Sequence, residues 1–456
     1  MIVARGFEGD ARFNAGAEGV ALSLSVLPTP RGPQLNEIQE MGLGEQLADQ
    51  IIAALSQRLP PPVQVVTEEQ PELLRFSGVT WDEAVQNMEK HFLQHCWSDG
   101  LPLVPPTEEA VHRMLEGTDL AADHVVAVVE PGRGKATVEK IAINAVMAGC
   151  LPQYLPVILA AVEALTDPRS DLRGVQCTAG LVSPLLIASG PKLIEQLNIN
   201  DSFSTIGPGW RANATIGRSI RLIMINLGHS WPGKNDMKPL GSPFKYVTLM
   251  AENESGYGGF WEPIRVAEGF TCDQPTLSVM PTHSWQVDVA LSHQGSLDKL
   301  VELLTAQARA KYDKTAQNWG MDNLILINPT LFEFVRKARK SRSDLQRILY
   351  EAMQVPCRIF FEGMEPKAEQ LGPVRIPDWL VERGKADPEA LAPLVAQPES
   401  LKIVVAGGMG VMFCAYISTW GYGPAYFVTR AVKFPRNWEG LLRKYEGWNT
   451  PVVKEE

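Results

Sequence analysis

The sequence predicts an α/β protein of several domains, with a helix-rich central domain and an α/β C-terminal domain. The chain has 456 residues, which is too long for one ordinary hydrophobic core. Apolar residues recur at helical spacing through its middle, whereas short apolar runs alternate with helical stretches beyond Gly269. We therefore expect an N-terminal accessory segment over 1–70, a central domain over 80–265 and a C-terminal domain over 270–456.

The composition excludes several classes of protein. Apolar residues make up 45% and charged residues 21%, which is typical of folded globular proteins rather than of disordered or fibrous ones. The net charge is −10, and no long basic stretch is present that would form a nucleic-acid surface. We expect a small-molecule partner and no nucleic acid.

The sequence predicts a cytoplasmic location. Charges near the start occupy the place where a signal peptide needs its apolar stretch, and no run approaches the roughly 18 apolar residues of a membrane span. No membrane partner is therefore expected. The six cysteines are scattered and include no C-x-x-C pair, so reduced thiols are expected.

The elements before residue 120 are predicted from spacing and capping. A strand is predicted at the start, followed by a helix over Gly44–Gln57 and a proline-rich linker over 59–62. A helix is predicted from Thr80 to His95, and Thr107 is expected to cap the next one, because early carboxylates suit a helix N-terminus.

The central segment predicts a hairpin-like turn followed by paired helices. Val125–Val129 is a predicted strand that runs into the turn 131–135, and a helix from Thr137 ends near Cys150. Leu155–Leu165 is its predicted antiparallel partner. Another helix is predicted between Gly209 and Asn226.

The C-terminal third has the alternating pattern of an α/β domain. Strands are predicted at Asn323–Ile327 and Lys402–Ala406, and a helix at Leu345–Met353. The proline-rich and charged stretch 366–400 predicts a surface excursion, and no internal repeat stands out in the sequence.

Basic residues of the helix before Asn226 suggest an anion site. Arg211, Thr215 and Arg218 share one helical face, and Arg221 follows close by. Guanidinium groups bind carboxylates and phosphates bidentately, and glycines before the helix would admit the anion to backbone N–H groups. A solvated or ion-paired face is the alternative. Asn213 is either a substrate ligand or a helix cap.

Cysteine and histidine residues give further candidates. Cys150 is a candidate nucleophile or redox centre, although a buried structural thiol is the alternative. His91, His95 and Cys96 form H-x3-H-C, a weak candidate metal site without the glutamate of zinc proteases. Single histidines could act as acid or base; these are His229, His283 and His293.

Two glycine-rich turns resemble nucleotide-binding loops only in part. The turn at 131–135 lacks the spacing of a phosphate loop, and Ala406-Gly-Gly-Met-Gly410 matches half of a dinucleotide fingerprint. No cofactor is firmly implied.

Four sequence blocks together resemble the large bacterial proteins related to the UGSC-type (seleno)proteins. The blocks are Trp97-Ser-Asp-Gly-Leu-Pro-Leu-Val-Pro-Pro-Thr, Ala136-Thr-Val-Glu-Lys-Ile-Ala-Ile-Asn-Ala-Val-Met-Ala-Gly-Cys150, Gly207-Pro-Gly-Trp-Arg-Ala-Asn-Ala-Thr-Ile-Gly-Arg218 and Ala251-Glu-Asn-Glu254. The family name refers to a tetrapeptide that ends in Gly-Ser-Cys, which implies thiol or selenol redox chemistry. This chain has no Gly-Ser-Cys.

The resemblance suggests site residues within these blocks. The catalytic candidates are Cys150, Asp99, Glu139, Lys140 and Glu252. The substrate-binding candidates are Asn144, Arg211, Asn213 and Arg218.

The leading functional hypothesis is an enzyme that acts on a small anionic metabolite by acid–base or thiol-assisted elimination or addition, as a lyase does. Three alternatives stay open: a thiol-dependent oxidoreductase, a non-catalytic assembly protein that forms a homo-oligomer, and a metal-dependent enzyme.

Overall fold

The computed structural model shows an α/β protein built around one mixed sheet. Among the helices that the structure describes, none has both the length and the apolar character that a membrane span needs. The structure describes residues 2–4, 8, 11–12, 15, 25–27, 44–56, 73–284, 287–289, 295–310, 319–361, 370–371, 374–419 and 423–448.

The α-helices are numbered in chain order. They are α1 (Gly44–Ser56), α2 (Trp81–Gln94), α3 (Glu108–Leu115), α4 (Val138–Met147), α5 (Leu155–Leu165), α6 (Leu172–Cys177), α7 (Pro191–Leu197), α8 (Arg211–Asn226), α9 (Ile264–Ala267), α10 (Leu297–Arg309), α11 (Pro329–Lys337), α12 (Arg342–Ala352), α13 (Cys357–Phe360), α14 (Asp378–Ala386) and α15 (Trp438–Lys444).

The strands are numbered in the same way. They are β1 (Ile2–Ala4), β2 (Ser25–Leu27), β3 (Val125–Val129), β4 (Gly134–Thr137), β5 (Ser183–Ser189), β6 (Thr248–Ala251), β7 (Thr276–Ser284), β8 (Val287–Val289), β9 (Asn323–Ile327), β10 (Gln354–Pro356), β11 (Gln370–Leu371), β12 (Val374–Arg375), β13 (Leu391–Pro393), β14 (Leu401–Val405), β15 (Phe413–Thr419) and β16 (Val428–Ala431).

The main sheet contains the same strand arrangement twice. Its order is β14-β9-β15-β7-β5-β6. In the first unit, β5 pairs parallel with β6 and antiparallel with β7. In the second unit, β9 pairs parallel with β14 and antiparallel with β15. The sequence did not reveal this repeat, because the two units share an order of strands but no similar stretch of residues stands out.

The two units are interlocked at the centre of the sheet. The last residues of β7 pair with the last residues of β15. Beyond each of these strands the chain crosses to the other unit, because β8 pairs with β15 and β16 pairs with β7. One sheet therefore takes strands from both of the predicted domains.

The sheet curls until its two edges approach, as in a barrel that is not fully closed. The N–H of Asn253, just after β6, donates to the carbonyl of Val405 in β14 at 2.8 Å. Side chains alternate between the faces of a strand, and one face forms a shared interior cluster that includes Leu185, Ile187, Met250, Met280, Leu324, Leu326, Val404, Ala415 and Ile417.

Helices cover the outer face of each unit with a separate hydrophobic core. Over the first unit, α8 buries Ile216, Ile220 and Ile223, which recur at helical spacing. Over the second unit, α11 and α12 pack on the outward residues of β9 and β14. Because both faces of these strands are covered, their residues are almost all apolar.

Most of the predicted elements are confirmed, with bounds that differ by a few residues. One prediction is wrong: within 366–400, helix α14 and strand β13 are present, and Leu380, Val381 and Ala392 are buried in the second core. The prolines there start and end short elements instead of marking a surface loop. The predicted linker at 59–62 lies outside the described residues.

Candidate active site

Two adjoining cavities lie beside the C-terminal half of α8, and both are lined by Ile225 and Trp231. We call the cavity of about 420 Å³ the thiol lobe and the cavity of about 240 Å³ the cationic lobe. Together they form the cleft. The thiol lobe is further lined by His95, Cys96, Trp97, Asn226, His229, Gly233, Lys234 and Asn235. The cationic lobe is further lined by Asp99, Arg221, Ser230, Pro232, Asp236, Ser242, Lys245 and Tyr246.

The end of α2 supplies one wall of the thiol lobe. The helix ends at Gln94, and the chain reverses at Cys96, which has a left-handed φ of 61°. The N–H of Trp97 returns to the carbonyl of Phe92 at 2.8 Å and closes the turn. A left-handed conformation is unfavourable for a residue with a side chain, so the surrounding structure must hold Cys96 in place.

The chain after α8 supplies the opposite wall. His229 also has a left-handed φ, of 55°. Its ring packs on Gly132 so closely that a Cβ atom there would lie 2.2 Å from the ring. The turn at 131–135, which resembled a phosphate loop, therefore serves as the support of His229. Two strained residues that are not glycine line one cavity, a feature that is common at functional sites.

Cys96 and Lys234 are in contact across the thiol lobe. The Lys234 Nζ lies 3.5 Å from the Cys96 Sγ. An ammonium group is a favourable partner for a thiolate, which is the reactive form of cysteine. Desolvation of the ring and the positive charge of Lys234 lower the pKa of His229, so its imidazole is neutral at neutral pH and can accept a proton.

Three polar atoms in the cleft are buried without a hydrogen-bond partner among the described residues. They are the Oδ1 atoms of Asn226 and Asn235 and the Oγ atom of Ser230. Buried polar atoms in proteins are nearly always paired. All three belong to residues that line the cleft.

Basic side chains in and behind the cationic lobe gather around the carboxylate of Asp236. Arg221 is 6% exposed, and its Nε donates to the carbonyl of Lys245. The ammonium groups of Lys238 and Lys245 both contact the carboxylate of Asp236. Because Asp99 is paired with Arg218, the side chains of Arg221, Lys238 and Lys245 have Asp236 as their nearby acid, and a bound anion would balance the excess positive charge.

The pKa values of these basic groups reflect that crowding. Burial and the charge of Arg221 lower the pKa of Lys238 to about 7 and that of Lys245 to about 8. Burial lowers the pKa of Arg221 to about 10, although the charge of Asp99 opposes this change. A negatively charged neighbour would therefore stabilise the charged form of each group.

Asp99 lines the cationic lobe, but its partner is Arg218. The guanidinium group binds the carboxylate through two hydrogen bonds of 2.8 and 2.9 Å and also donates to the carbonyls of Leu101 and Pro102. Through these hydrogen bonds, Arg218 holds the Trp97–Pro102 segment against α8. Of the predicted anion ligands, the arginine that lines the cleft is Arg221.

Cys150 and Arg211 lie outside the cleft. Arg211 Nε donates to the carbonyl of Gly149 at 3.1 Å, and the thiol lies beside Thr215 and Ser219. Burial raises the pKa of Cys150 to about 12, which keeps the thiol protonated at neutral pH. This environment is that of a structural cysteine.

The two predicted residues near the start of α4 do not reach the cleft, whereas Asn144 is linked to it. Glu139 is exposed and Lys140 half-buried. The Asn144 Oδ1 accepts a hydrogen bond of 2.7 Å from Asn226, which lines the thiol lobe. Asn144 is thus a supporting residue behind the wall.

The remaining predicted residues lie elsewhere in the barrel. Asn213 is buried and binds the backbone of Asn200, Thr205 and Leu249, so it is not a helix cap. Glu252 is fully buried and accepts hydrogen bonds from Ser189, Tyr257 and the N–H of Ile264.

The H-x3-H-C motif does not form a metal centre in the described part of the chain. The rings of His91 and His95 stack with centroids 3.9 Å apart, and the Nδ1 of His95 is bonded to the His91 carbonyl. No group of three or more His, Cys, Asp or Glu side chains that could hold a metal ion occurs among the described residues.

Apart from His229, sequence reasoning did not identify the segment 228–246, which provides most of the second wall. Its signal is local: Gly-His-Ser-Trp-Pro-Gly-Lys-Asn-Asp236 gathers polar and aromatic residues in a tight turn after a long helix. No protein-family model matches the chain, and comparison with curated proteins finds no match either.

Proposed function

We propose that the chain is an enzyme that acts on a small anionic metabolite, with the substrate bound in the cleft. The observation that carries this proposal is the excess of buried positive charge in the cationic lobe, next to a lobe that presents a thiol and an imidazole. The resemblance to UGSC-type proteins is compatible with it, because the Trp97-Ser-Asp-Gly block lies along both lobes.

The anion is held by Arg221 and Lys245, which line the cationic lobe. Lys238 stands behind them, with a side chain that is only 2% exposed. A carboxylate or phosphate fits this arrangement, since both accept several charge-assisted hydrogen bonds. Ser230, whose buried Oγ has no hydrogen-bond partner among the described residues, also lines this lobe.

The reaction that these groups support is elimination or addition. In an elimination, the neutral His229 takes a proton from carbon, the C–H electron pair forms the double bond, and the leaving group departs with its own bonding pair. The Cys96 thiol supplies the proton that the leaving group needs, and Lys234 stabilises the thiolate that is left. The reverse sequence is the addition.

Selective alkylation of Cys96 tests the proposal. Iodoacetate carries a carboxylate and iodoacetamide does not, and both alkylate thiols. We expect the iodoacetate-to-iodoacetamide rate ratio at Cys96 to exceed that at the exposed Cys272 by roughly tenfold, because the cationic lobe concentrates the anion. Mass spectrometry of the two peptides measures both ratios in one sample.

Two lysine variants distinguish the effect of the cationic lobe on this ratio from the effect of the protein's overall charge. Lys245→Met should bring the ratio at Cys96 close to that at Cys272, whereas Lys299→Met, at an exposed lysine, should leave it unchanged. Equal ratios at the two cysteines in the wild-type protein would refute the anion site and favour the assembly protein.

The same ratio should depend on pH. Lys238 and Lys245 have lowered pKa values of about 7 and about 8, so they are charged at pH 6 and largely neutral at pH 9. The preference of Cys96 for iodoacetate should therefore fall as the pH rises through this range. The ratio cancels the ionisation of the thiol itself, since both reagents need the thiolate.

A further inference from the structure

A third cavity, of about 490 Å³, opens at the barrel end of the second unit. It lies at the carboxyl ends of β9 and β14, where Asn328 and Ala406 follow the strands. The loop 203–207 forms another wall. Crevices at the carboxyl ends of parallel strands are the usual ligand sites of α/β proteins.

The first unit shows why this cavity exists. The N–H of Glu252 donates to the carbonyl of Ala188, and the N–H of Ala406 donates in the same way to Ile327. These bonds make Ala406 the counterpart of Glu252 in the repeated arrangement. The side chains of Glu252 and Glu254 fill the end of the first unit, whereas Ala406-Gly-Gly408 leaves the corresponding space empty.

The walls of the cavity are apolar. Phe203, Met409, Val411 and Phe413 line it and are large hydrophobic residues that remain 66, 60, 58 and 39% exposed. Among the described residues that line it, none carries a charge. An exposed apolar cavity of this size is unfavourable in water unless a ligand covers it, and the covering part of that ligand must be uncharged.

The glycine loop adds donors beside these walls. Asn253 and Asn328 bind the carbonyls of Gly407 and Gly408, which fixes the loop. Among the described residues, the N–H groups of Gly407 and Gly408 have no hydrogen-bond partner. The ring of Phe203 packs directly on Gly408, where a Cβ atom would lie 2.9 Å from it.

We propose that this cavity binds a small planar aromatic molecule with an uncharged ring and a hydrogen-bond acceptor. The ring lies between Phe203 and Phe413, because aromatic rings pack on one another in offset or edge-to-face pairs. The acceptor takes the N–H groups of the glycine loop. The site is independent of the cleft and of the function proposed for it.

Binding of 2-naphthol to the full chain tests this site, with 1-decanol as the flexible apolar alternative. Isothermal titration should detect 2-naphthol binding. Gly408→Trp should weaken it by roughly tenfold or more, since the new side chain takes the place of the ligand. Gly408 does not have a left-handed φ, so a larger residue is tolerated there once the exposed Phe203 ring moves aside.

Two further variants guard against a folding artefact. Leu240→Trp places the same side chain at a residue that is 92% exposed and does not line the cavity, and it should bind 2-naphthol as the wild type does. Ala406→Leu fills the cavity from within and should abolish binding even if Gly408→Trp fails to fold. The proposal would be overturned if the wild-type chain did not bind 2-naphthol or bound only 1-decanol. It would also be overturned if the cavity variants bound 2-naphthol as tightly as the wild type.

Discussion

The two units of the sheet share one strand order but differ at the ends of their parallel strands. In the first unit, a polar network of Ser189, Glu252, Glu254, Tyr257 and Arg265 fills the end. In the second unit, the corresponding end is an apolar cavity. The repeated framework therefore supports either a closed or an open end, and the residues that follow the second parallel strand differ between the two units.

The polar network closes its end through buried hydrogen bonds and one buried ion pair. Glu252 accepts from Tyr257 at 2.6 Å and from the N–H of Ile264 at 2.7 Å, as well as from Ser189. Arg265, which is 2% exposed, pairs with Glu254 and donates to the carbonyl of Cys272. These bonds join β5, β6 and the chain that leads to α9. Burial raises the pKa of Glu252, whereas its three donors lower it.

Removal of Glu252 should give the largest effect. Glu252→Ala leaves three buried donors without an acceptor, and we expect it to lower the free energy of unfolding by about 4 kcal/mol. Glu252→Gln retains the volume and one acceptor and should cost less. Denaturant unfolding measures both. The exposed Glu262→Ala is the control, and an equal effect of that variant would show that the network is not what stabilises the first unit.

The second unit has a buried carboxylate, Asp322, whose burial is only partly offset by favourable interactions. The stability of the chain should therefore depend on pH. Burial raises the pKa of Asp322 to about 6, although Lys402 and the N–H of Phe427 oppose this. Between pH 4 and pH 6 the folded chain holds a proton that the unfolded chain has lost. Stability should therefore fall as the pH rises through that window, by up to about 3 kcal/mol.

Asp322→Asn isolates this contribution, because the amide does not titrate. Its unfolding free energy should change less between pH 4 and pH 6 than that of the wild type, as measured by urea denaturation at several pH values. A parallel pH dependence in the two proteins would assign the slope to other groups.

Partial filling of the open end should have the smallest effect. Ala406→Leu adds apolar volume inside the cavity without burying a charge, and we expect it to raise the free energy of unfolding by about 1 kcal/mol. Thermal denaturation measures the change. A loss of stability would mean that the cavity walls are too rigid to accept the side chain, and the two ends would then differ in shape as well as in filling.

Local patterns predicted the elements well, because caps and periodicity act over a few residues. Thr107 accepts a backbone N–H at a helix start, as predicted, and Thr80 and Thr137, where helices were predicted to begin, do the same. The strand at Asn323–Ile327 has the predicted bounds. The strand order was not predictable, since pairing depends on contacts between distant residues.

The residues that line the cleft were predicted only in part. Spacing along α8 placed Arg211, Arg218 and Arg221 close together. It could not show that Arg211 binds the carbonyl of Gly149 or that Arg218 binds Asp99. Cys96 was identified only as a weak metal ligand, because its contact with Lys234 spans 138 positions of sequence. Such contacts follow from the fold.

The interlocked strands at the centre of the sheet have a consequence during synthesis. The edge of β7 that pairs with β15 and β16 is complete when the ribosome has passed residue 284, yet its partners begin at residue 413. Until then, a nascent chain carries an unpaired strand edge of the kind that associates with other strands. We expect chains truncated before β15 to aggregate, and the full chain to rely on rapid release or on chaperones that cover this edge.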